Sequence, residues 1–341
     1  MKASVLTAFG PPDVLQLREV AAPVAKGHDV LIRVRATSVN FGDLLVRNFA
    51  AVSPRAFHMP GLFWLIGKLS FGFRRPRIRI LGSEFSGTVE AVGAHVTRFK
   101  KGDAVFGYRG PSMGAYAELL CMPERGVLAL KPANLTDEEA ASCPYGALMA
   151  LDLLRKIRLQ PGQRVLVVGA SGGIGPMVVQ LAKNHFGTTV AGVCSTARMA
   201  FVQSLGATTV IDYTQEDFAD RPDTYDVIVD ILGKSSFARC RRVLAPHGRL
   251  VFVSFKSRQI LQMLWLSVVG AKKVMCVVTS ERQADLVTVR ELVEAGTLRP
   301  VVDRVFPLAQ AAQAHRYAES AARLGTVVIS VEQPITHGNS E

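Results

Sequence analysis

Residues 164–176, Arg-Val-Leu-Val-Val-Gly-Ala-Ser-Gly-Gly-Ile-Gly-Pro, carry the clearest chemical signal in the chain. An apolar β-branched run, Val165 to Val168, meets a glycine-rich turn, Gly169-Ala170-Ser171-Gly172-Gly173-Ile174-Gly175. An amphipathic stretch follows, Met177 to Lys183. Strand, glycine turn and helix in that order are the context in which such a turn binds a dinucleotide. The small residues let N–H groups at the helix start approach a pyrophosphate, whose charge the helix dipole favours. Ala170 takes the first position of G-x-G-x-x-G and is small enough to keep the turn tight. Pro176 falls in the first helical turn, where its missing N–H breaks no helical bond. The phosphate-binding candidates are therefore Ala170, Ser171, Gly172, Gly173, Ile174 and Gly175.

The choice of dinucleotide is written one strand further on. Sites that prefer NAD place an acid about twenty residues beyond the glycines, where it binds the ribose 2′-OH. That count lands on Cys194-Ser195-Thr196-Ala197-Arg198, which has no acid but two hydroxyls and an arginine. A 2′-phosphate carries about two negative charges and is matched by such donors, arginine above all. Ser195, Thr196 and Arg198 thus point to NADPH in preference to NADH. Ser195 and Thr196 could equally cap the next helix, although capping does not account for the missing acid.

These residues need elements to hold them. Residues 1–130 read as short strands and turns, such as Val30 to Ala36 and Gly87 to Gly93, and predict an antiparallel β-domain with few helices. From about residue 131 strand–helix units recur. The strands after Val165–Val168 are Thr189–Cys194, Thr208–Ile211, Tyr225–Asp230, Arg249–Val253 and Lys273–Val278, with a helix over Ala197–Leu205. That alternation predicts a parallel, doubly wound sheet of the Rossmann type. Gly233, Ser254 and Phe255 follow its fourth and fifth strands and are expected to line the nicotinamide side. The tail carries helices over Asp285–Ala295 and Leu308–Ala322, then a strand, Gly325–Val331, that must pair elsewhere. The last ten residues are polar and read as frayed.

Composition sets the bounds. A chain of 341 residues with 49% hydrophobic and 20% charged side chains is globular and long enough for two domains. Its five scattered cysteines form no C-x-x-C, which fits a reducing cytosol without a disulfide framework or structural zinc. The first residues are too short an apolar run for a secretory signal, so a cytoplasmic location is expected. The net charge of +12 follows no nucleic-acid recognition pattern and suits an anionic partner, a cofactor phosphate or a membrane surface. Two apolar segments, 59–69 and 260–269, each hold one of the two tryptophans between cationic flanks. Both are shorter than the roughly 18–20 residues that span a bilayer. Three readings stay open: a lid over a lipophilic substrate, a dimer contact, or a peripheral membrane contact.

Further landmarks carry a family resemblance. They include Met1-Lys2-Ala3, Gly10-Pro11-Pro12-Asp13-Val14-Leu15, Ser38-Val39-Asn40-Phe41-Gly42-Asp43, Leu81-Gly82-Ser83-Glu84-Phe85-Ser86-Gly87, Gly114-Ala115-Tyr116-Ala117-Glu118 and Val210-Ile211-Asp212-Tyr213. Over residues 1–331 the chain resembles the medium-chain dehydrogenase/reductases, in their zinc-independent quinone-oxidoreductase-like branch. The resemblance implies an α/β protein in which a discontinuous GroES-like catalytic domain, 1–130 and 281–341, surrounds a Rossmann domain at 131–280. It implies an active-site cleft between the domains, Tyr213 near the adenosine phosphate, and a homodimer paired at Val274–Val278. In zinc-dependent members a Cys occupies the place of Asn40 and a Gly-His-Glu motif that of Gly82-Ser83-Glu84. Cys143 lies near the third ligand's position and cannot build a tetrahedral site alone, so no zinc is expected.

Without a Lewis acid, the simpler task is hydride delivery from NADPH to a small lipophilic acceptor that is already electrophilic, a quinone or an α,β-unsaturated carbonyl. The candidate catalytic residues are Asn40, Asp43, Tyr108 and Tyr145. Asn40 could hydrogen-bond the nicotinamide or the substrate carbonyl, or simply end its strand in an Asx turn. Either tyrosine could donate a phenolic proton or be a packed core residue. The alternatives are a zinc-free alcohol or enoyl-thioester dehydrogenase, and a low-turnover NADPH-binding protein with a membrane or protein partner.

Overall fold

The computed structural model describes residues 1–269 and 271–331; the polar tail read as frayed lies outside them. The chain divides into two compact units. One comprises Met1–Ala51, Phe71–Pro144 and the chain from Val301; the other comprises Val52–Ser70 and Tyr145–Pro300.

The first unit is built on β3 (Asp29–Val39), whose buried Val30, Ile32 and Val34 alternate with more exposed neighbours at the two-residue period of a half-buried strand. Around it lie β1 (Lys2–Leu6), β2 (Leu15–Glu19), β4 (Glu84–Val92), β5 (Ala104–Tyr108), β6 (Leu119–Pro123), β7 (Val127–Leu130), β14 (Val302–Pro307) and β15 (Thr326–Ser330). β1 and β2 form a separate hairpin, and the main sheet runs β14-β15-β3-β4-β5-β7, with β6 also on β3. All pairs are antiparallel except β14 with β15. The strand expected to pair elsewhere is β15, which lies against β3 with Val327 opposite Val39.

The second unit holds six parallel strands, β8 (Arg164–Val168), β9 (Thr189–Cys194), β10 (Thr209–Asp212), β11 (Tyr225–Asp230), β12 (Leu244–Phe252) and β13 (Lys273–Cys276). Their order is β10-β9-β8-β11-β12-β13, so the winding reverses between β8 and β11, where open sheets of this kind bind ligands. Central strands buried on both faces explain the continuous apolar runs of β8 and β11.

Three elements differ from the sequence reading. The stretch after the glycine turn is not amphipathic in place: every residue from Ile174 to Ala182 is buried. The apolar segments, to which the sequence reading gave no element, are the helices Gly61–Phe71 and Ser257–Val269. The units also divide elsewhere than at 130 and 281. The helix Asp137–Ala141 packs Ala141 against Ala36 and Val328 in the first unit, and Arg155 holds Asp285 of the helix Gln283–Glu294 at 2.7 Å in the second.

Candidate functional site

In the second unit the glycine turn sits at the end of β8. Gly169 has φ +91°, a left-handed conformation that glycine adopts without strain. A Cβ on Gly175 would lie 2.2 Å from the carbonyl oxygen of Gly169, so only glycine lets the helix start close on the turn. Gly146 plays the same part from the helix Pro144–Lys156, where a Cβ would stand 2.9 Å from the Gly173 carbonyl. This close approach brings half-buried Tyr145 beside Gly173.

The end of β9 joins the turn. Arg198 reaches the hydroxyl of Ser171 with Nη1 at 3.5 Å, placing a guanidinium against the glycine-rich loop. Ser195 precedes a short 3₁₀ turn, Thr196–Arg198, but makes no side-chain capping bond, so the capping alternative is not realised. Thr196 instead donates its hydroxyl to Asp212 at the end of β10. Asp212 was not singled out in the sequence: it supplies an acid beside β9 from a different strand. Both its oxygens are engaged, one by Thr196 and the other by the N–H (2.9 Å) and hydroxyl (2.7 Å) of Thr214. These bonds, Thr196 foremost, hold the Asp212 pKa below the usual carboxylate range. Tyr213, beside it, is 64% exposed.

The loop after β11 is pinned by buried Asp230, which accepts N–H bonds from Leu232 (3.0 Å), Gly233 (2.9 Å) and Ser235 (2.6 Å). Gly233 has φ +67° and abuts Ser254, whose carbonyl oxygen would meet a Cβ at 2.2 Å. These two are brought together at the ends of β11 and β12. Phe255 is buried in the apolar cluster under the sheet, and its N–H bonds the carbonyl of His58. Leu232 was missed by the sequence reading; it lies beside Gly169 and is half exposed.

In the first unit the structure assembles a buried polar network around Asn40. Asn40 caps the helix Phe41–Arg47, its Oδ1 accepting from the N–H groups of Gly42 (2.9 Å) and Asp43 (3.4 Å). Its Nδ2 donates to Ser83 Oγ (2.7 Å) and Glu84 Oε2 (3.0 Å), so both ends of the amide are engaged, and the residue is 6% exposed. Of the two readings for Asn40, this geometry realises the strand-ending cap. Asp43 completes the capping box through the N–H of Asn40 (3.0 Å) and also accepts from Gly82 (2.9 Å). Burial pushes its pKa up to about 7, against the two backbone bonds. Tyr108, on β5 opposite Glu84, is buried. The thiol of Cys143 is held protonated by burial and by the charge of Glu84. Among the described residues no group of three or more His, Cys, Asp or Glu side chains is arranged to hold a metal ion.

A second buried chain, invisible in the sequence, supports this network. Arg47 donates to His315 Nδ1 (3.1 Å) and to Glu319 (2.6 Å); His315 Nε2 meets the Tyr116 hydroxyl (2.9 Å), which reaches the Ser38 carbonyl. Since Arg47 can only donate, Nδ1 accepts and the imidazole is neutral with its proton on Nε2. Burial, reinforced by Arg47, takes its pKa from 6.5 down to about 3. The unfolded chain therefore binds one more proton than the folded chain between about pH 3 and 6.5, and this contribution to stability falls as pH drops through that window. Asp43 acts with the opposite sign between 3.8 and about 7, which masks the effect in the parent protein. We expect the stability difference between the parent and His315→Gln, measured by urea unfolding, to shrink by about 1.4 kcal/mol per unit as pH falls below 6.5.

A parallel sheet wound in this order, with a glycine turn on its first strand, is the mark of a dinucleotide-binding domain. The family model "Alcohol dehydrogenase GroES-like domain" matches residues 26–132, and "Zinc-binding dehydrogenase" matches 205–329. The chain is 32% identical over 340 residues to a 2-methylene-furan-3-one reductase of Solanum lycopersicum, covering 96% of this chain and 79% of that protein. It is equally similar, with the same coverage, to an NADPH-dependent alkenal/one oxidoreductase, chloroplastic, of Arabidopsis thaliana. The solved quinone oxidoreductase from Coxiella burnetii superposes with a TM-score of 0.81 at 29% identity, covering 97% of this chain and 99% of that one. The chain belongs to the medium-chain dehydrogenase/reductase superfamily, in its quinone-oxidoreductase-like branch. It is an oxidoreductase.

Proposed function

We propose that the protein reduces quinones or α,β-unsaturated carbonyls with NADPH and without a metal. The observation that carries this reading is the Arg198 guanidinium held against Ser171 of the phosphate loop, while the neighbouring acid, Asp212, is occupied by Thr196 and Thr214. That arrangement favours a 2′-phosphate over a bare 2′-OH. The alkenal/one relative is named as NADPH-dependent, which agrees. NADPH, when bound, supplies the hydride. The turn's N–H groups bind its pyrophosphate, with Gly175 and Gly146 keeping the backbone close. The loop of Gly233 and Ser254, fixed by Asp230, flanks the nicotinamide side, and Leu232 joins it.

The donors around Asn40 do not fit a zinc ion. An amide whose N–H₂ points at Ser83 and Glu84 and a neutral, buried thiol at Cys143 offer neither imidazole nor thiolate. An alkoxide would therefore lack its usual Lewis acid, which favours acceptors that are already electrophilic. Half-buried Tyr145, beside Gly173, is the better of the two tyrosines to hydrogen-bond the developing enolate or quinol oxygen. Solvent can supply the final proton. β13 is the edge of the parallel sheet, which leaves it available for the pairing of two copies in the homodimer we propose.

The test is consumption of NADPH or NADH with quinones, 2-alkenals, enones and saturated aldehydes as acceptors, and cofactor reduction with saturated alcohols as donors. Turnover is expected with the first three classes, with NADPH favoured about tenfold or more. Oxidation of saturated alcohols would overturn the metal-free assignment. Micromolar NADPH binding without turnover on any acceptor would turn the reading to a binding protein.

A further inference from the structure

The net positive charge of the chain comes from two stretches. Between Asp43 and Glu84 there are seven Lys or Arg and no acid; between Asp230 and Glu281 there are nine and no acid. These sixteen exceed the whole net charge of +12, and the rest of the chain, with 24 basic and 28 acidic residues, is slightly negative. Each acid-free stretch contains one of the two apolar helices, Gly61–Phe71 and Ser257–Val269.

The two helices spring from one point in the second unit. The N–H of Phe255 bonds the carbonyl of His58 at 3.1 Å, and the Lys256 ammonium bonds the carbonyls of Arg55 (2.9 Å) and Phe57. Met59, Ile260, Met263 and Leu266 pack inward on the unit's apolar cluster. The outward sides are apolar as well. Leu62, Leu65, Ile66 and Leu69 are exposed on one helix, and Leu261, Leu264, Trp265 and Val268 on the other, with Trp265 at 65% and Val268 at 84%. Both sets follow the i, i+3, i+4, i+7 spacing of a single helix face, so each helix turns an apolar stripe to solvent. Contiguous exposed apolar surface of this kind marks an interaction site.

We propose that these two helices dock the protein on an anionic lipid bilayer, lying in the interface with the apolar stripes toward the acyl chains and the basic residues among the headgroups. Helices of 11 and 13 residues are too short to span, and among the described residues no helix is long and apolar enough to cross a membrane. Charge decides against a second copy of the chain: the exposed cations flanking the two helices, among them Arg55, Arg74, Arg75, Arg258 and Lys273, would meet their own like across such an interface, whereas anionic headgroups complement them. An apolar centre decides against nucleic acid. The proposal does not depend on which acceptor is reduced.

The full chain is tested by sedimentation with vesicles of phosphatidylcholine alone or with about one third phosphatidylglycerol. It should sediment with the anionic vesicles at low salt, stay in solution with the neutral ones, and be released at high salt. The double variant Leu264→Glu, Trp265→Glu should bind anionic vesicles about tenfold less or weaker still, with NADPH affinity and circular dichroism unchanged. Trp265→Phe should bind as the parent does. Trp265 emission should shift to the blue on binding and be quenched by lipids brominated on their acyl chains. Because Trp64 sits on the other docking helix, the emission is read in Trp64→Phe, where Trp265 alone reports. Absence of sedimentation at low salt overturns the proposal, as does undiminished binding by the double variant. A dimer that the double variant splits, without vesicle binding by the parent, assigns the helices to a second copy instead.

Discussion

The Arg198→Ala protein should bind NADPH about 10- to 100-fold more weakly than the parent, while its affinity for NADH changes by no more than about twofold. The two cofactors differ only by the 2′-phosphate, so the ratio of the two losses isolates the contact. A charge-assisted, bidentate pair between guanidinium and phosphate is worth about 1.5–3 kcal/mol, which sets the range. Arg198 is held near that position in advance by its bond to Ser171, which limits the ordering that binding requires. Titration of each cofactor by calorimetry or fluorescence reads the result. Equal losses for the two would move Arg198 to the pyrophosphate, which they share. The salt dependence of NADPH binding should also weaken in the variant, because one phosphate–cation contact is gone.

Gly175→Ala should remove binding of both cofactors, by about a hundredfold or more, because it acts on the loop rather than on the 2′ position. The added methyl would sit 2.2 Å from the Gly169 carbonyl oxygen and 2.6 Å from the Ala170 carbonyl. Those are backbone atoms on the rim of the binding loop, and no rotamer change can clear them. Either the helix start retreats or the turn opens, and in both cases the N–H groups lose their aim. A fall in stability of about 1–3 kcal/mol should accompany it, as for other overpacked sites. Gly172→Ala is the matched control for the fold: its nearest neighbour would be the Gly169 oxygen at 3.5 Å, an ordinary contact, so its melting temperature should be close to the parent's.

The second unit was largely legible because its signal is local. Strands β9 and β11 fall where the apolar runs predicted them, at Thr189–Cys194 and Tyr225–Asp230, and the glycine turn sits where its spacing required. What escaped was made by residues far apart in the chain. Asp212 reaches the end of β9 from the next strand, a placement that counting along one strand cannot reveal. Asn40 and Asp43 were read as candidates for chemistry. Their partners Ser83, Glu84 and Gly82 lie some forty residues on, and burial turns the group into a cap. The chain Arg47–His315–Tyr116 joins three distant segments and left no pattern in any of them. The segment 52–70 gave the opposite difficulty: its apolar character was plain, but a helix that is apolar on its outer side has no amphipathic period to announce it.

The place of β15 between β14 and β3 has a consequence for the order in which the molecule can be assembled. Val327 and Ile329 belong to the same core as Leu6, Val30 and Ile32, together with Leu308 and Ala314. During synthesis β3 emerges early and β6 covers Asp29 to Arg33 on that flank, but the Ala36 to Val39 end stays open until the ribosome has passed Ser330. The parallel-sheet unit, from Tyr145 to Pro300, is complete well before then. The parallel-sheet unit is therefore expected to fold before the first unit can be completed. The earliest-made strands wait with an exposed edge, open to pairing with another chain or to a chaperone, until the late strand closes it.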